Sequence, residues 1–156
     1  MADPGGGVSP PVAVAFAGAG FFALVIAGFG VTSLISGADV VVPGHDQLPG
    51  VIAVGAATIA FVLILWTGVR RIRPSYGVSF TAVFAVLVAF VLGILIGAVL
   101  EGSDPAAAAA TAGSFAVSWF ALVLAAAAFV AAWSGVALVR THASRPRWPW
   151  ERDDQE

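Results

Sequence analysis

The chain has 156 residues, 60% of them hydrophobic and only 10% charged, and its mean hydropathy is +0.98. Soluble domains carry about 25% charged and about 45–50% apolar residues, so most of this chain cannot face water and its main solvent is lipid. Cys 0 and His 2 remove disulfide exchange, thiolate metal sites and cysteine nucleophiles and leave little imidazole chemistry, while a formal net charge of -2 opposes nucleic acid as a partner.

A hydrocarbon core of about 30 Å is crossed by about 20 apolar helical residues. Four runs without Asp, Glu, Lys or Arg reach that length, at 12–35, 51–69, 78–100 and 114–139. With their flanking turns the expected spans are 12–36, 50–69, 77–101 and 112–139. Together they form one transmembrane domain, 12–139, between an N-terminal segment 1–11 and a tail 140–156. Pro10 and Pro11, Pro43 and Pro49, Pro74 and Gly77, and Asp104-Pro105 punctuate the runs. The runs are apolar on all sides, whereas a membrane barrel alternates. The expected fold is therefore an all-α membrane protein, four transmembrane helices in an up-down bundle.

The first span resembles a leader in one respect, the small residues Ser36-Gly37-Ala38 after it. Residues 1–9 carry no cationic side chain and the run exceeds the ~7–15 residues of a leader core, so it is expected to stay as an anchor. Ala19, Ala23 and Ala27, with Gly20 and Gly30, make a small-residue row along it. In the loop that follows, His45-Asp46, with Asp39 and with Glu101 or Asp104, offers imidazole and carboxylate ligands to a divalent ion, but one His with scattered carboxylates is a weak signal and no metal or cofactor is expected.

The second span ends in Trp66-Thr67-Gly68-Val69, ahead of Arg70, Arg71 and Arg73. The remaining basic residues, Arg140, Arg145, Arg147 and Arg152, follow the fourth span, whereas the other loops hold Asp39, Asp46, Glu101 and Asp104. Basic residues in short loops stay cytoplasmic, so both termini are expected inside and the protein in the cytoplasmic membrane. Trp66, Arg70, Arg71 and Arg73 are expected to anchor at the headgroup level.

On the third span Thr81, Ala85, Ala89, Gly93 and Gly97 recur every four residues, ending in a GxxxG step. Helices in lipid associate by close backbone approach at small residues, so this row is expected to be a packing face. Its expected mates are the first-span row and Ala127, Ala131 and Gly135 of the fourth. Whether it meets a span of this chain or of a second protein is open at this level. Thr58, Thr67, Ser79, Ser118 and Ser134 are the hydroxyls at membrane depth, each able to bond a carbonyl one turn earlier.

Glu101 continues the third-span row just beyond the span. It is a solvated carboxylate at a span end or, alternatively, an outer-mouth contact of a transporter. The small multidrug exporters place a Glu inside the first of four spans; here that span offers none. A serine hydrolase lacks its base within the spans and a GxSxG. Asp104-Pro105 is a helix start, so a helix is expected from the 106–110 alanines, either bending at Gly113 into the fourth span or lying on the surface. The span endings 66–69 and 133–136 echo each other, as do the turns 36–39 and 101–104, a pattern that duplication or shared interfacial preference would produce.

In the tail, Arg145-Pro146-Arg147-Trp148-Pro149-Trp150-Glu151 interleaves Arg and Trp with Pro that precludes a regular helix. Arg145, Arg147, Trp148 and Trp150 are expected to anchor to lipid or dock a partner. This tail, with Ala, Val and Gly-rich spans and Arg as the sole basic residue type, resembles the small uncharacterised four-span integral membrane proteins of high-GC actinobacteria. The resemblance implies a cytoplasmic-membrane location and transfers no catalytic residue. The functional expectation is a non-catalytic accessory or scaffolding protein, its partners the lipid bilayer and either a second copy or a larger membrane complex. The alternative is a small oligomeric transporter or channel with Glu101 at its outer mouth.

Overall fold

The structure is a computed structural model describing residues 8–38, 40, 48–70 and 75–140. Its helices are α1 (Pro10–Ser36), α2 (Leu48–Val69), α3 (Gly77–Leu100), α4 (Pro105–Ala116) and α5 (Trp119–Arg140). Four of them, α1, α2, α3 and Trp119–Val139 of α5, are long and apolar enough to cross a membrane. The chain is a multi-pass membrane protein.

Local chemistry sets the helix ends. Pro10 and Pro11 stand in the first turn of α1, where their missing N–H groups have no carbonyl to meet. Gly37 closes that helix at φ 64°, its N–H on the Ser33 carbonyl at 2.8 Å. At the end of α3, Gly102 takes φ 85°. The N–H groups of Gly102 and Ser103 bond the Val99 and Ala98 carbonyls, both at 3.0 Å, in a Schellman arrangement. Asp104 caps α4 through Oδ2, which accepts from the Ala106 and Ala107 N–H groups at 3.0 and 3.4 Å.

Successive spans run antiparallel. Gly97 lies at Pro49 and Gly93 at Ala53, while Gly68 at the far end of α2 lies at Val78. Phe61 of α2 stacks on Phe21 of α1 at 4.5 Å, and Tyr76, which caps the start of α3, on Trp133 of α5 at 4.3 Å. The four spans close into a ring, α1–α2–α3–α5, with α2 against α3 its most extensive contact and α4 laid on α3. Inside sit Phe21, Phe61, Leu65, Val86, Phe90, Ile94 and Leu124, all essentially without exposure.

The expected fourth span, 112–139, is divided. α4 continues as one helix through Gly113, and the chain turns at Val117 and Ser118. Packing supplies a reason: Phe115 and Phe120 both meet the ring of Phe29, at 6.4 and 5.6 Å. Five residues along a continuous helix would point them about 140° apart, so one helix could not aim both inward. Ser118 assists by donating its Oγ proton to the Phe115 carbonyl at 2.7 Å.

Candidate functional site

The closest helix approach is a seam between α2 and α3. A Cβ on Gly93 would lie 2.5 Å from the Ala53 Cα, and one on Gly97 would lie 2.5 Å from the Pro49 Cα. Both glycines are buried, Ala85 and Ala89 are half-buried, and Thr81 is exposed. The straight row expected on α3 therefore leaves the interface toward its start. Residues four apart advance about 40° around a helix, which accumulates to about 160° from Gly97 back to Thr81. The buried line shifts instead through Phe90, Val86 and Ala82.

The mate of the glycines is also a correction. They meet Pro49 and Ala53 of α2 rather than the small rows of the first and fourth spans. Along α2, Pro49, Ala53, Ala57, Phe61 and Leu65 are all buried at intervals of four. The same angular drift carries that row from α3 to Phe21 of α1 and then to Gly135 of α5. Ala127, Ala131 and Gly135 are buried; a Cβ on Gly135 would lie 2.9 Å from the Ala17 Cβ. On α1 the buried positions are Ala13, Val14, Ala17, Phe21, Val25 and Phe29. Ala19, Ala23 and Ala27 are exposed, so this row faces outward.

At the arginine end the Arg70 guanidinium carbon sits 5.0 Å from the centre of the Trp66 ring, a cation–π distance. Tyr76, the cap of α3, and Phe80 within it meet Trp133 and Phe129 of α5: Tyr76 stacks on Trp133, and Phe80 meets Phe129 edge-on at 5.4 Å. Both pairs are spaced by four residues, so each places two rings on one helix face. Arg71, Arg73, Arg145, Arg147, Trp148 and Trp150 lie outside the described residues, as do Asp39 and His45-Asp46.

Four membrane-depth hydroxyls bond a carbonyl three or four residues earlier. Thr58 donates to the Val54 carbonyl at 2.8 Å, Thr67 to Ile64 at 3.0 Å, Ser118 to Phe115 at 2.7 Å and Ser134 to Val130 at 2.8 Å. Ser79 differs, being fully buried with no partner for its Oγ. Glu101 caps the end of α3, half-buried, and its Oε1 is buried without a hydrogen-bond partner. Among the described residues no three or more His, Cys, Asp or Glu gather as a metal ligand set. The arrangement is one of packing surfaces.

Residues 10–156 match a family of unknown function (DUF6121). The chain belongs to that family. No curated protein and no solved structure matches it. The DUF6121 match begins on the first residue of α1 and so takes in every helix. Within this DUF6121 chain, sequence reasoning passed over the α2 row, although Pro49, Ala53 and Ala57 carry the same every-four signal as the third span. The expectation that Ser79 bonds a carbonyl one turn earlier is corrected, since its Oγ has no partner, and nothing local marks a hydroxyl that lacks its usual carbonyl.

Proposed function

We propose that the protein is a non-catalytic accessory or scaffolding component of a membrane complex, held in the cytoplasmic membrane with both termini inside. The observation that carries this reading is the sorting of the small-residue rows. Those of α2 and α5, and the Gly93 and Gly97 end of that on α3, make contacts within the bundle. That of α1, Ala19, Ala23 and Ala27 with Gly30, is turned outward, and no atom lies within 4 Å of a Cβ placed on Gly20 or Gly30. Small outward residues let a neighbouring helix backbone approach, which is how helices bind one another in lipid. The orientation is supported by Arg70, Arg71 and Arg73 and the tail arginines, all at one end of the chain's alternation.

The test is native mass spectrometry of protein extracted from its own membranes in mild detergent, parent against Ala23→Leu. The reading expects a complex with a second copy or another membrane protein that Ala23→Leu loses, while the variant keeps the parent's melting temperature. A monomer, or a complex indifferent to the substitution, overturns it.

One observation favours a second reading, a small oligomeric transporter or channel. Glu101 holds a buried, unpartnered carboxylate oxygen at the negative end of a helix, where a cation would be welcome. Ion flux into proteoliposomes that Glu101→Gln abolishes would replace the accessory reading with this one.

A further inference from the structure

The turn between α4 and α5 lies deep in the bundle. Phe115, just before it, stacks on Phe90 at 4.3 Å. Phe90 stands ten residues from the Leu100 end of α3, about 15 Å along the axis. α3 is about 36 Å long, so it overhangs a hydrocarbon core of about 30 Å by about 3 Å at each end. The turn is then on the order of 10 Å inside the hydrocarbon. Irregular backbone persists at such depth only where protein buries it or where it lines a water-filled cavity. Protein does not bury it on the outer side, where Val117 is 89% exposed.

On the other side is a cavity of about 150 Å³, into which Thr111, Ser114 and Ser118 bring hydroxyls, with Ile94, Phe115 and Phe120 among its apolar walls. Each hydroxyl donates its proton to a carbonyl of α4, at 3.1, 2.8 and 2.7 Å, leaving lone pairs on its oxygen as acceptors. At the start of α5 the Ala121 N–H bonds the Ser118 carbonyl at 3.2 Å, while the N–H groups of Trp119 and Phe120 ahead of it have no carbonyl a turn earlier within α5 and are donors. The volume far exceeds the ~10–15 Å³ that a cavity needs to admit one water, and the site has the polar partners that water needs. We infer that this cavity is a water-filled recess, entering the membrane from the end that carries Asp104 and reaching the α4–α5 turn. The inference rests on the reading that α3 and α4–α5 cross a bilayer.

The absence of Cys from the chain makes single-cysteine labelling a direct test. Only a hydrated thiol ionises and attacks a charged, membrane-impermeant thiosulfonate. Ser118→Cys and Val117→Cys share a depth and face opposite ways. Ala106→Cys, exposed at the start of α4, is the water reference, and Phe84→Cys, 71% exposed a third of the way along α3, is the lipid reference. In membranes open to reagent on both sides, Ser118→Cys is expected to react within about tenfold of Ala106→Cys, with Val117→Cys and Phe84→Cys about 100-fold slower. Ser118→Cys as slow as Phe84→Cys means a dry cavity and overturns the recess. Val117→Cys as fast as Ser118→Cys puts the turn outside the bilayer and overturns it too. Fast reaction at Phe84→Cys shows that the membrane reading itself has failed. Each variant is first required to elute as the parent does, and Ser114→Cys gives the same comparison if Ser118→Cys does not.

Discussion

At Gly93 the neighbouring atom is a backbone carbon, the Ala53 Cα, whereas at Gly28 it is a side-chain methyl of Val123. A methyl can shift with its side chain; a helix backbone moves only as a unit. Gly93→Ala is therefore expected to destabilise the bundle by about 1–3 kcal/mol through overpacking, even though Ala favours a helix by about 1 kcal/mol over Gly. Gly55→Ala, with nothing within 4 Å of the new methyl, is expected to be neutral or mildly stabilising. Thermal unfolding of both variants in one detergent checks the sign at each site. Ser79 is the opposite kind of residue, a polar group kept at zero exposure without a partner. Nothing on either side of it in the chain foretells that.

At the scale of elements, α4 is the least self-sufficient helix. It is short, its sequence opens on Pro and five consecutive alanines, and it buries only Ala108, Ala112 and Phe115. Its start depends on the Asp104 carboxylate. Asp104→Ala is expected to cost about 1 kcal/mol, appearing as roughly fivefold faster amide hydrogen exchange over residues 106–110 with α1, α2 and α3 unchanged. Unchanged exchange at those alanines would show that packing on α3, rather than the cap, holds the helix. The beginning of α4 was legible because capping chemistry is local: Asp, then Pro, then a helix-forming run. Its end was not. Gly113 carries a backbone signal for a bend, yet the turn comes at Val117 and Ser118, where two phenylalanines five residues apart both seek Phe29.

For the whole molecule, the closed ring of α1, α2, α3 and α5 leaves large apolar side chains such as Phe16, Leu34, Phe84 and Trp119 pointing outward. Such a surface suits lipid and would aggregate in water. For the proposed orientation, both termini inside, intact cells given an impermeant thiol reagent are expected to label Ala106→Cys, while Ser75→Cys reacts only after permeabilisation. The reverse pattern would invert the topology without altering the packing. The two aromatic pairs at the arginine end, with Trp66 under Arg70, would then mark the headgroup level of whichever leaflet they occupy.

Length and composition were enough to mark four runs long and apolar enough to cross a membrane and, the start of the fourth apart, roughly where their helices end. Those properties are sums over contiguous residues: apolar transfer along a run, charge in a loop, proline or glycine at a boundary. Partner choice between helices is not such a sum. Ala and Gly occur on every span, so several small rows compete, and an every-four row drifts about 40° per step and faces different neighbours along its length. Only the assembled bundle decided that Gly93 and Gly97 meet Ala53 and Pro49, that the α1 row faces outward, and that the fourth span breaks. Each outcome depends on fitting surfaces from distant parts of the chain into one volume.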